Sequence, residues 1–216
     1  MTELNTLVKH HTAVINDIAL HYVTAGDPAN EPVVLLHGFP EFWYGWRNQI
    51  PFLVEQGYYV IAPDQRGYNM SGKPPRVRDY ALDHAVEDWI ALLDHLGLQD
   101  VQLVGHDFGA AVAWLGATKH LQRVRKLAIL NVPHLAVMAR HLRSNPEQRR
   151  RSWYMFTFQL PWLPEWLLGK NDSERGVSIL ARSSATGSFT QGDLQRYREA
   201  WAQPGAWGGM LNWYRA

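Results

Sequence analysis

The stretch VQLVGHDFGAAVAW, residues 101–114, decides how this chain is read. Val101 to Val104 begin an apolar run with the look of a buried strand, and the small residues from Gly109 to Ala113 begin a helical pattern. Between them stands Asp107, at a place where an unpaired charge is expensive. Gly105-His106-Asp107-Phe108-Gly109 matches the strand–turn–helix pattern G-x-nucleophile-x-G, with an acid in the nucleophile's position. Gly105 and Gly109 leave room for a tight reversal that a side chain would block, and the helix N-terminus favours a carboxylate. The competing reading is a plain helix N-cap, which Asp also serves well. The rest of the chain has to separate the two.

On either side, short β-rich runs alternate with helical patterns. AVINDIALHYVTAG (13–26) reads as a hairpin. PVVLLHG (32–38), YYVIAPD (58–64), VQLVGHD (101–107) and KLAILNV (126–132) read as nearly all-apolar strands of a parallel sheet covered by helices. Helical patterns fall at about 43–56, 80–96 and 108–120, so the fold class is α/β with a doubly wound, mostly parallel sheet. From residue 134 onward no convincing strand remains. Helical stretches separated by Pro and Gly fill the chain to Ala216. The expected organisation is an α/β unit over 1–132 and a helical unit over 133–216.

Composition narrows the function. The 216 residues are 46% hydrophobic and 19% charged with a formal charge of +1, enough for a real core and without an electrostatic footprint for nucleic acid. The basic run Arg149–Arg151 reads as a solvated helix face. With no cysteine, disulfides and thiolate metal sites are excluded, and no zinc spacing occurs among the ten histidines. The first residues lack an apolar signal region, so a cytoplasmic address and no membrane partner are expected. Ten tryptophans, clustered in EFWYGWR (41–47) and after residue 150, suggest an aromatic-lined cavity or interface. One decoy is set aside: Gly67-x-x-x-x-Gly72-Lys73 approaches a phosphate loop, but Pro74 supplies neither the hydroxyl nor the N–H that motif needs. No cofactor is expected.

His37-Gly38-Phe39-Pro40 ends the strand that begins at Pro32, where the loop supplying one oxyanion N–H stands in such folds; the second N–H follows the nucleophile. The donors would be those of Phe39 and Phe108, and the tight loop suggests a cis Phe39–Pro40 bond. With HGFPEFWYGWR (37–47), PDQRGYNMSGKP (63–74) and VGHDFGA (104–110) in this order, the chain resembles the epoxide hydrolases of the α/β-hydrolase superfamily over nearly its whole length. SWYMFTFQLP (152–161) and LNWYRA (211–216) resemble the two segments of that family's helical cap whose tyrosines grip the epoxide oxygen, here Tyr154 and Tyr214. The resemblance implies Asp107, Tyr154 and Tyr214 as catalytic residues and a small apolar epoxide as substrate. His37, Pro40, Trp43 and Trp153 are assigned to substrate binding.

A carboxylate needs no base to open a strained ring, so Asp107 would form an alkyl ester while the tyrosines protonate the departing oxygen. Water must then attack the ester, and that water needs a base. In this fold the acid and His follow the nucleophile along the chain, yet the sequence reaches Ala216 without them, and His120, His134 and His141 stand in no plausible replacement segment. A truncated enzyme that forms the ester but does not complete turnover is therefore expected. The edge of the strand at 126–132 would be uncovered, which predicts self-association, for example as a homodimer. Two alternatives stay open: a haloalkane or haloacid dehalogenase-like hydrolase, or a non-catalytic member that binds a small ligand.

Overall fold

A computed structural model of the chain describes residues 2–216, with side chains from Leu4 onward. After a short helix α1 (Thr2–Leu7), β1 (Lys9–Ile15) and β2 (Ile18–Ala25) form the hairpin. There follow β3 (Glu31–Leu36), α2 (Gln49–Glu55), β4 (Tyr58–Pro63), α3 (Leu82–His95), β5 (Val101–His106), α4 (Phe108–Lys119) and β6 (Val124–Leu130). The remaining elements are helical: α5 (Leu135–Ser144), α6 (Pro146–Arg151), α7 (Trp153–Thr157), α8 (Leu163–Ser183), α9 (Gln191–Trp201) and α10 (Ala206–Arg215).

The sheet runs β1-β2-β4-β3-β5-β6, antiparallel from β1 to β4 and parallel from β4 to β6. The fold is a doubly wound, mostly parallel α/β sheet, as the sequence leads one to expect. The chain passes from β3 to β4 on one side and then crosses to β5 on the other. That switch of direction opens a crevice beyond the carboxyl ends of β3 and β5, where ligands bind in open α/β sheets. Leu36 stands opposite Gly105 in this parallel pair, so the residues just past each strand, His37–Phe39 and His106–Asp107, are neighbours.

Packing follows from the sequence pattern. In α3, apolar residues at 85, 86, 89, 90, 92 and 93 share one face and are buried. Burying each large side chain contributes about 1.5–3 kcal/mol. Small residues let α4 approach: a Cβ on Gly116 would meet the Trp89 ring at 2.6 Å. β6 is the edge strand, with Arg125, Lys126, Ala128 and Leu130 exposed, so charge as well as apolar surface marks this edge.

Of the helices after β6, α9 and α10 bury whole faces, whereas α5, α6 and α7 bury no hydrophobic residue. α9 opens with a capping box between Thr190 and Asp193. α8 joins two sequence patterns across Lys170–Ser173, where the backbone leaves helical geometry. α10 is fastened to the sheet half. Gly209 lies so close to Gly67 that a Cβ would fall 2.6 Å from the Gly67 carbonyl oxygen, and Trp213 Nε1 donates to the Arg66 carbonyl at 2.9 Å. The Arg66 guanidinium turns inward to a buried two-pronged pair with Asp88 of α3, 2.7 Å on each prong. Among the described residues no helix is long and apolar enough to cross a membrane.

Candidate active site

Asp107 caps β5 with φ 52° and ψ −119°, a conformation that costs a non-glycine residue about 1–3 kcal/mol and persists only where its surroundings impose it. Those surroundings are tight: a Cβ on Gly109 would sit 2.1 Å from the Leu36 carbonyl oxygen, and one on Gly105 would sit 2.4 Å from that of Gly109. The turn lifts the Asp107 side chain toward the end of β3, where Phe39 N–H donates to its Oδ1 at 2.8 Å. Phe108 opens α4, so its N–H belongs to the first-turn donors that lack an intrahelical acceptor. The Phe39–Pro40 bond is cis.

Tyr154 of α7 and Tyr214 of α10 come together from opposite ends of the helical segment, their rings 6.0 Å apart. Tyr214 stands edge-on to Phe108 (4.6 Å), the residue after Asp107, and to Phe39 (5.2 Å), whose N–H donates to the carboxylate. Burial raises the Tyr214 hydroxyl far above the usual tyrosine range, and the Asp107 charge adds to this. Burial, then Asp107, raises Tyr154 as well. Both phenols are held protonated beside a carboxylate, a state suited to donation.

The four residues assigned to substrate binding divide. His37 is fully buried: its Nε2 accepts the Gln65 N–H at 3.0 Å, which leaves Nδ1 to donate to the Gly38 carbonyl at 3.1 Å. Trp43 is 3% exposed and gives its N–H to Asp64. Both are buried behind the loop and brace it, while the Phe39 N–H faces the carboxylate. Pro40 is partly buried, its carbonyl accepting from Trp201 Nε1 at 2.7 Å. Trp153 is 63% exposed and lines an apolar groove of about 280 Å³ with Phe158, Leu160, Leu163 and Leu167.

Two features had no sequence signal of their own. Phe158 joins that groove to the site, with its ring within 6 Å of Phe39, Tyr154 and Tyr214. Glu41, directly after the cis bond, accepts the Tyr197 hydroxyl at 3.0 Å and lies 3.5 Å from His106 Nδ1. The Glu41 carboxylate, through hydrogen bonding, raises the His106 ring. Burial would raise Glu41, but His106 and Tyr197 outweigh it and hold it below the usual range. His106 therefore points to Glu41 and Asn131, away from its neighbour Asp107. Of the other histidines considered, His120 pairs with Glu87 at the far end of α4, His134 stacks edge-on to Trp114, and His141 lies on α5.

Lys73, the lysine of the phosphate-loop decoy, is spent on the carbonyls of Asn69 (2.6 Å) and Ser71 (2.9 Å) within its own loop.

Comparison with known proteins places this geometry. Residues 31–203 match the family described as alpha/beta hydrolase fold. The chain is 46% identical over 201 residues to the AB hydrolase superfamily protein YfhM of Bacillus subtilis, covering 93% of this chain and 70% of that protein. It is 38% identical over 204 residues to Epoxide hydrolase 4 of Homo sapiens, covering 92% of this chain and 56% of that protein. Among solved structures, epoxide hydrolase VrEH1 from Vigna radiata superposes with a TM-score of 0.84 at 31% identity, over 97% of this chain and 72% of that one. Bacillus megaterium epoxide hydrolase bound to an inhibitor gives 0.86 at 33% identity, over 95% and 71%. The chain thus spans between about half and three quarters of these relatives. The chain belongs to the α/β-hydrolase superfamily and, within it, to the group that includes the epoxide hydrolases.

Proposed function

We propose that Asp107 attacks a carbon of a small apolar epoxide and forms an alkyl ester, while Tyr154 and Tyr214 donate to the ring oxygen as its C–O bond breaks. The observation that carries this reading is the Phe39 N–H on Asp107 Oδ1 beneath two adjacent tyrosines. One carboxylate oxygen is held and the other is left to attack. The same N–H, with that of Phe108, would receive the oxyanion when the ester carbonyl is attacked. Tyrosines that stay protonated stabilise charge appearing only as the ring opens, which is the differential binding catalysis requires. Residues 133–216 act as the lid over the carboxylate, and the apolar groove through Phe158 takes the epoxide's hydrocarbon arm.

Hydrolysis of the ester needs a base for water. His106 is engaged by Glu41, and His120, His134 and His141 lie elsewhere. The 216-residue chain is therefore expected to hold the ester. Incubation with styrene oxide followed by intact-mass and peptide mass spectrometry tests this: one added epoxide mass on Asp107, absent from Asp107→Asn, is the expected result. Sustained diol formation would show that a residue of this chain supplies the base. Release of chloride from a haloalkane, without epoxide labelling, would favour a dehalogenase; no covalent product from either would favour a ligand-binding role.

A further inference from the structure

The loop that presents the Phe39 N–H is fastened from behind at both ends. At one end Gln65 holds His37, by its main-chain N–H to Nε2 (3.0 Å) and its side-chain amide to the carbonyl (2.5 Å). At the other, the Trp43 N–H donates to Asp64 Oδ1 at 2.9 Å. Asp64 is fully buried, where a carboxylate is tolerated only if its lone pairs are filled. Its second oxygen is filled by Asn69 Nδ2 (2.7 Å) and by His21 Nδ1 (2.6 Å). His21 is fixed in turn: its main-chain N–H donates to Ser71 Oγ, which donates to the Asp64 carbonyl, and its Nε2 meets His10 Nδ1 at 3.0 Å.

We infer that the His21–Asp64 pair positions the oxyanion loop, with His21 setting the orientation of the Asp64 carboxylate and Asp64 setting the place of Trp43 and hence of Phe39. This rests on reading the Phe39 N–H as the oxyanion donor. The physical reason is tolerance. A donor aimed at developing charge must be held within about 0.5 Å, and loops reach that only when their supports are themselves locked. Three residues lie between Phe39 and the Trp43 anchor, and their main chain is held by the turn bond from Glu41 N–H to the Gly38 carbonyl, by the Gly45 N–H on the Phe42 carbonyl and by Trp201 Nε1 on the Pro40 carbonyl. If Asp64 rotates, the Trp43 N–H loses its acceptor and the loop drifts. His21, on β2, and Asp64, just past β4, touch no substrate; they act through the loop.

Two near-isosteric variants separate positioning from bulk stability. In His21→Asn the side-chain amide N–H stands where Nδ1–H stands, so donation to Asp64 survives. In His21→Gln the amide falls nearer the Nε2 position and Asp64 Oδ2 loses that donor. Hydrogen exchange of the full chain is the first measurement. The amides of Phe39, Glu41 and Trp43 should exchange about tenfold faster or more in His21→Gln, while those of β3 and β5 keep their protection and His21→Asn stays near wild type. Unchanged loop exchange in His21→Gln, or equal loosening of loop and strands, would overturn the inference.

The second measurement uses the epoxide ester. Hydroxylamine attacks the ester carbonyl, the carbon–alkoxy bond breaks, the alkoxide takes the proton lost from nitrogen, and Asp107 is left as a hydroxamate. This cleavage needs the oxyanion donors but no protein base. It should slow about tenfold or more in His21→Gln, with the rate of ester formation changed much less, and recover in His21→Asn. Parallel falls in both steps would refute a role specific to the oxyanion. If wild type forms no ester, the proposed reaction fails, and the exchange measurement still decides whether the pair positions the loop.

Discussion

Tyr154 and Tyr214 lie within electrostatic reach of the same carboxylate, yet the segments that carry them are built differently. α10 buries Ala206, Trp207, Met210, Leu211 and Trp213, touches the Gly67 backbone through Gly209 and bonds the Arg66 carbonyl through Trp213. α7 is five residues long and buries none of them, and its Trp153 and Phe156 are exposed. The stretch that follows α7 is tied down chiefly by one residue of α10: Arg215 donates to the carbonyls of Phe158 (2.8 Å) and Leu160 (2.6 Å) and pairs with Glu165. Tyr214 is thus placed by the core, and Tyr154 is placed by α10. Two hydroxyls proposed for one chemical task can differ in how well they are held, and on that proposal the better-held one carries more of the task.

This contrast can be broken by experiment. The largest effect is expected from Tyr214→Phe, which should slow Asp107 labelling by about a hundredfold or more, the range for losing a positioned proton donor. Tyr154→Phe should cost about tenfold or less by the same measurement; equal losses would show that the two are held alike. Gly209→Ala pushes a methyl into the Gly67 backbone and should destabilise the chain by about 1–3 kcal/mol in urea unfolding, slowing labelling as well, because Tyr214 moves with its helix. Arg215→Ala should change labelling only a few-fold while raising hydrogen exchange in residues 153–160. A comparable rise in α9 would show that Arg215 does more than tether α7.

The smallest effect sharpens the same picture. Both phenols are raised above the ordinary tyrosine value, Tyr214 by far the more, so the protonated form persists to higher pH than in a free side chain. Donation requires that form. Labelling should therefore show no alkaline decline up to pH ~10, the usual tyrosine value. In Tyr214→Phe, where Tyr154 alone donates, the decline should begin at lower pH than in wild type.

What the sequence makes legible is what local rules control. The four apolar runs became β3 to β6 because nearly continuous Val, Ile and Leu bounded by Gly, His or Asp fit strands buried on both faces. The Asp107 turn and the Phe39 donor were legible because glycine spacing and parallel register act over a few residues. The burial of His37 and Trp43 behind the loop was not legible, because the turn of the chain at Gly38–Phe39 decides which side chains face inward. Glu41 and Phe158 were not legible at all. Their partners Tyr197 and Tyr214 lie 156 and 56 residues away, and only the packed fold brings them together. At Lys170–Ser173 the backbone leaves helical geometry, with positive φ from Asn171 to Ser173, and divides the stretch 163–183 into two helices.

Arg66 faces two ways, its guanidinium locked to Asp88 of α3 and its carbonyl held by Trp213 of α10. Asp88 also accepts from Asn16 Nδ2 at 3.1 Å, between β1 and β2. Random mutagenesis scored only for labelling would therefore return hits at Asn16 and Asp88 that resemble long-range communication. A simpler mechanical explanation suffices: one side chain and its own main chain link the hairpin and α3 to the tyrosine-bearing helix, so loosening the far side of that residue shifts the near side. Double-mutant cycles pairing Asp88 with Trp213 would be strongly non-additive, while cycles pairing Asp88 with Trp153 would come out additive.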